Sequence, residues 1–114
     1  MTRVVLVIAF GVCTAGCATS RSLYYWGHYE DLVYTMYARP GEADPLTQIT
    51  TLEADYQRAR AENQPVPPGF HAHLGVLYYQ TGKMDQARGQ FLTEKAEFPE
   101  SAAFMDRLLS KTAP

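Results

Sequence analysis

Residues 67–99 read PPGFHAHLGVLYYQTGKMDQARGQFLTEKAEFP, and the reading of this stretch decides the fold. Leu74, Leu77 and Tyr78 recur at helical spacing, which predicts an amphipathic helix opening at Pro67–Gly69. Proline is tolerated there because the first-turn N–H groups have no partner inside the helix. Gly82 is placed to close that helix as a left-handed cap. A second helix then runs from Met84 to about Phe98, turning Ala87 toward Gly75 and burying Phe91, and Pro99 stops it. With no side chain at Gly75 the two helices can lie nearly backbone to backbone, and any larger residue would force them apart. The product is a helical hairpin.

The order of these contact residues is specific. His71-x2-Leu74-Gly75-x2-Tyr78, Ala87-x3-Phe91 and Pro99 resemble the tetratricopeptide signature W-x2-L-G-x2-Y … A-x3-F … P. Six of the seven signature residues stand in order, and His71 takes the tryptophan's place as a packed residue. The resemblance implies a helical-repeat stack whose concave side is lined by the first helix of each hairpin. Carried onto this chain, that side holds Ala72, Val76, Tyr79 and Gln80. Tyr79 follows the core residue Tyr78 but points about 100° away from it round the helix. It either contacts a partner or packs on an earlier helix.

A lone repeat cannot bury its own core, and about three are usual. The flanking segments must therefore complete the stack. Downstream, Pro99-Glu100-Ser101 begins a helix in which Phe104, Met105, Leu108 and Leu109 form a stripe able to cap the open end. Upstream, Asp44 or Pro45 opens a helix reaching about Asn63. Leu46, Ile49, Leu52 or Glu53, Tyr56 and Ala59 trace its inner face, while Glu53, Asp55, Arg58, Arg60 and Glu62 stay wet. Before it, Leu32, Val33, Met36 and Tyr37 recur at helical spacing up to the Pro40-Gly41 break. These two helices are expected to form a degenerate first hairpin. The fold expected is all-α, a tetratricopeptide-like stack of about five short antiparallel helices over residues 23–114. Tyr24, Tyr25, Trp26 and Tyr29 crowd its start, and Gly27 lets the backbone turn there. This aromatic knot either lids the core or, through Tyr25 and Trp26, meets a partner or the bilayer interface.

Ahead of that domain, residues 1–16 carry one cation, Arg3, then an apolar run from Val4 to Val12, then small residues. This is the pattern of a secretory signal, too short to span a bilayer as a mature helix. Thr14-Ala15-Gly16-Cys17 resembles a bacterial lipobox, with Thr14 where leucine is usual. Cys17 would then be the acylated first residue of the mature chain. The other reading is a plain secreted protein cut after Ala15 or Gly16. Ala18, where an aspartate would resemble the inner-membrane retention signal, implies the periplasmic face of the outer membrane by the same resemblance. Residues 17–22 form the lipidated cysteine and a short tether, and five residues reach at most about 18 Å.

Composition excludes several classes of function. The formal charge of −2 becomes −3 when Arg3 leaves, and charges of both signs alternate along the helices, so no nucleic-acid surface is expected. Both cysteines, Cys13 and Cys17, belong to the leader region, which excludes a disulfide framework in the domain. His71 and His73 lie about 200° apart on a helix and do not converge as an i,i+4 zinc pair would. His28 reads as isolated. Neither a nucleophile elbow nor a phosphate-cradling glycine loop is present. Glu94 with Glu97, and Glu53 with Asp55, read as solvent-side charges paired to Lys95 or Arg58. No catalytic residue, metal or cofactor is expected.

Three blocks carry a closer resemblance: Tyr-x-Trp-Gly-x-Tyr at 24–29, Pro-Pro-Gly-x-x-Ala-His-Leu-Gly at 67–75, and Glu-Lys-x-x-Phe-Pro-Glu-Ser at 94–101. Together they resemble a family of small proteobacterial lipoproteins classed as a domain of unknown function. The resemblance implies an outer-membrane lipoprotein often encoded beside a curli-secretion-channel-like lipoprotein and another small lipoprotein. It implies no activity. The reading is a non-enzymatic, membrane-anchored adaptor that binds a protein partner, such as a channel-like lipoprotein complex. The alternative is a binder of a ligand or envelope polymer, peptidoglycan or lipid.

Overall fold

The computed structural model describes residues 16, 17 and 20–114, so the leader and Cys13 lie outside the described residues. Five helices follow one another: α1 (Tyr29–Ala38), α2 (Pro45–Ala61), α3 (Phe70–Gln80), α4 (Met84–Glu97) and α5 (Ala102–Lys111). Single 3₁₀ turns at Pro40–Glu42 and Pro99–Ser101 precede α2 and α5. Among the described residues there is no strand, as the sequence leads one to expect.

The helix ends follow from local chemistry. Asp44 caps α2, its carboxylate accepting the Thr47 N–H at 2.8 Å and the Thr47 hydroxyl at 2.6 Å. Those two bonds hold the Asp44 carboxyl below its ordinary value. At the other end Asn63 takes φ +51°, letting the Gln64 N–H return to the Ala59 carbonyl at 2.9 Å. Gly82 does the same for α3 at φ +77°, with Lys83 N–H donating to Tyr78 O at 2.9 Å and Gly82 N–H to Tyr79 O at 3.1 Å. The start of α3 lies later than expected. Pro67 and Pro68 stay outside it, and Gly69 occupies the cap position at φ +93°.

Helices α3 and α4 form the expected hairpin, the tightest pairing in the molecule. A Cβ on Gly75 would come 2.5 Å from Phe91 Cε1 and 3.2 Å from Gln90 Cβ. The group filling the notch is therefore the Phe91 ring rather than Ala87, which is fully buried elsewhere in the seam. An aromatic ring uses the space of a missing side chain better than a methyl would. On one side α2 packs against α3, and on the other α5 packs against α4. Leu52, Phe70, Leu74, Leu77, Phe91 and Met105 make one continuous core across the four helices.

Two expectations for the first hairpin change. Helix α1 does not lie along α2; it has no buried residue of its own and reaches the core through side chains such as Tyr29 and Leu32. The stripe that α2 buries is Gln48, Ile49, Leu52, Asp55 and Ala59, while Leu46 is exposed. Gln48, Leu52, Asp55 and Ala59 keep the i, i+4, i+7, i+11 rhythm of one helix face, so two polar residues ride inward with Leu52 and Ala59. Each finds a partner there. Gln48 Oε1 lies 3.1 Å from His73 Nε2, and Asp55 bonds His28.

Candidate functional site

The helix face singled out on α3 floors a trough. Ala72 and Val76 are half-buried, Tyr79 and Gln80 exposed, and they turn away from Leu74 and Tyr78, which close the core on the opposite side. Two adjoining depressions, of about 270 and 260 Å³, run along this face and share Val76 and Leu108. One wall comes from α1 with Tyr29, Val33, Met36 and Tyr37. The other comes from α5 with Phe104 and Leu108, and Lys111 stands at the far end beside Tyr79 and Gln80. Tyr37 is 78% and Phe104 54% exposed, so the rims are aromatic and wet.

The trough is electrically quiet. Burial holds His73, in its floor, below the usual imidazole value, which keeps the ring neutral at pH 7. Burial first, then the nearby Glu94 and Tyr37, raises Tyr29 above the ordinary phenol value. Lys111 is the one charged side chain among the lining residues. Such a surface suits apolar side chains of another molecule and offers little to orient a small polar ligand.

The positioning of the trough depends on buried carboxylates that the sequence presents as solvent-side charges. Glu94, 2% exposed, reaches from α4 to the start of α3 and accepts the Gly69 N–H at 2.7 Å and the Ala72 N–H at 3.2 Å. It is a helix cap supplied by a neighbouring helix, and its charge faces the positive end of α3. Asp55, 1% exposed, accepts the His28 N–H at 2.7 Å and lies 3.0 Å from His28 Nδ1. Gly27 sits directly on this carboxylate at φ +49°, where a Cβ would collide with it. His28 is thus a partner of Asp55 and not isolated. Tyr78 donates its hydroxyl to Glu53, and burial and that carboxylate push the phenol well above its usual range.

The remaining residues of interest separate into groups. Tyr25 packs on the core and gives its N–H to Pro65 O at 2.8 Å, so its role is internal. Trp26 is 39% exposed and stacks on Tyr29 at 6.3 Å, beside the trough but not in it. The two α3 histidines diverge: His71 Nδ1 meets Gln90 Oε1 at 2.7 Å and its Nε2 lies 3.5 Å from Glu97, while His73 meets Gln48. Cys17 is exposed. The α1 wall was missed as part of the site. Its signal was an apolar stripe on a helix with too little partner surface to bury it, since Val33, Met36 and Tyr37 recur at the proper spacing.

Comparison with known proteins gives one family match. Residues 23–108, most of the chain, match the model of a domain of unknown function, DUF4810. No curated protein and no solved structure matches the chain. The matched span contains all five helices up to Leu108 and both walls of the trough. This chain belongs to the DUF4810 family.

Proposed function

We propose that this protein is a non-enzymatic adaptor lipoprotein: acylated at Cys17, held at the periplasmic face of the outer membrane, and binding an apolar segment of a protein partner in the α1–α3–α5 trough. The observation that carries the reading is the convergence of Ala72, Val76, Tyr79 and Gln80 on one open groove, charged only at Lys111 and edged by exposed aromatic rings. Supporting the anchor are the Thr14–Cys17 lipobox and the exposure of Cys17. Among the described residues no helix is long and apolar enough to cross a membrane; in this reading acyl chains on Cys17 make the attachment, and two or more anchor stably. The resemblance to lipoproteins encoded beside a curli-secretion-channel-like lipoprotein nominates such a channel-like complex as the partner.

Photo-crosslinking in cells tests this reading. A crosslinker at Tyr79 is expected to trap a defined protein, and Val76→Arg to abolish trapping without lowering the melting temperature. A crosslinker at Leu92, exposed on α4, serves as control. Equal trapping from both positions, or none from Tyr79, overturns the adaptor reading. Saturable binding of peptidoglycan fragments blocked by Val76→Arg would replace it with an envelope-polymer binder.

A further inference from the structure

The segment joining the anchor to the domain is fixed to one end of the helix array. Arg21 Nη2 donates to Glu62 O at 3.3 Å, Gln64 Nε2 to Ser22 O at 2.5 Å, and Tyr25 N–H to Pro65 O at 2.8 Å. The His28–Asp55 bond pins the segment's far end. The arm thereby lies at the C-terminal end of α2, where α3 begins and α4 finishes. A row of rings crosses that same end. Tyr24 meets Phe98 edge-on at 6.3 Å and Trp26 at 6.4 Å, Trp26 stacks on Tyr29, and Tyr29 leans on Phe70 at 5.8 Å. On this scaffold Leu23 is 72% and Trp26 39% exposed. Leu23 follows Cys17 by six residues, a span of at most about 22 Å when fully extended.

We infer that Leu23 and Trp26 form a second membrane contact, inserting into the headgroup region of the leaflet that holds the acyl chains. The inference rests on the reading that Cys17 is acylated. A leucine and a tryptophan beside a lipid anchor have the chemistry of the bilayer interface, where an indole keeps one edge in water. Exposed Glu62, Glu97 and Glu100 are balanced by exposed Arg21, Arg58 and Arg60 around this end, so insertion and not attraction to anionic lipid drives the contact. The arm then stands the bundle on the membrane. The Tyr79–Gln80–Lys111 end of the trough, at the opposite ends of α3 and α5, faces away from it.

Trp26 is the only tryptophan in the chain, so its fluorescence reports this contact directly. Acylated protein is reconstituted into phosphatidylethanolamine–phosphatidylcholine vesicles carrying bromine at shallow or deep acyl positions. The expected result is a blue-shifted emission with about twofold stronger quenching from shallow than from deep bromine, as for a ring at headgroup level. Leu23→Asp is expected to weaken the quenching while flotation with the vesicles persists. The proposal is overturned if the protein floats yet Trp26 keeps the wavelength and the quenching of soluble Cys17→Ser protein. If Cys17→Ser protein floats as well as wild type, the acylation reading fails by itself, and the inference falls with it.

Discussion

At the scale of single residues, the fold depends on contacts too close to admit another atom. Gly75 is one. Gly75→Ala puts a methyl 2.5 Å from Phe91 Cε1, and the buried ring must shift out of its place in the seam to admit it. We expect a loss of about 1–3 kcal/mol, the usual cost of overpacking, seen as a fall in melting temperature. In Gly75→Ala/Phe91→Leu protein the smaller residue relieves the clash, so the double variant should lose less than the two single losses combined. A second expectation concerns His73. Burial lowers its folded-state value below 6.5, so in acid the unfolded chain binds the proton first. Its contribution to stability is complete above pH 6.5 and is lost as pH falls from there toward the depressed folded value. The slope from this one site is at most about 1.4 kcal/mol per pH unit. Melting curves between pH 7.5 and about 5 check it, since His73→Gln should flatten the decline.

Helices in this molecule complete one another, and the element scale is where sequence and structure part company. The hairpin was legible because Leu74, Gly75, Tyr78, Ala87 and Phe91 are apolar or small residues at fixed spacing, which only a close helix pair explains. Glu94 and Asp55 were not legible. A carboxylate inside an amphipathic helix has the same spacing whether it meets water or the amide groups of a neighbouring helix, and the neighbour's position is a property of the fold. Glu94, in the last turn of α4, faces the bare N-terminus of α3, which has no capping side chain of its own. Glu94→Ala leaves two N–H groups without a partner in a nearly dry site and should cost about 2–3 kcal/mol. Its neighbour Lys95 bridges Asp106 at 2.7 Å with both side chains partly wet, and Lys95→Ala should cost about 1 kcal/mol or less. Chemical denaturation of the two variants side by side makes the comparison. Equal losses would mean that the cap contributes nothing beyond an ordinary surface pair.

Across the whole molecule, the trough exists because α1 is not used as the first half of a hairpin. The Pro40–Glu42 turn and the α2 start at Pro45 carry the chain away from α1, leaving its apolar stripe on the same side as that of α5. The walls therefore come from opposite ends of the chain, and each is wider than its own burial requires. Helix α5 shows the division of labour most sharply, because adjacent residues fall on different faces, about 100° apart. Met105 is 1% exposed and belongs to the core, whereas Phe104 is 54% exposed and forms a rim of the trough. Met105→Ala should cost about 2–5 kcal/mol by opening a cavity, with a melting temperature lowered by roughly 10 °C or more for a domain of this size. Capture of the partner by folded Met105→Ala protein should be preserved at low temperature. Phe104→Asp should do the reverse, holding the melting temperature within a few degrees while abolishing crosslinking from Tyr79. The two substitutions thus separate the surface that holds the fold from the surface proposed to hold the partner. A Phe104→Asp protein that traps its partner as well as wild type would leave the α5 rim with no part in binding.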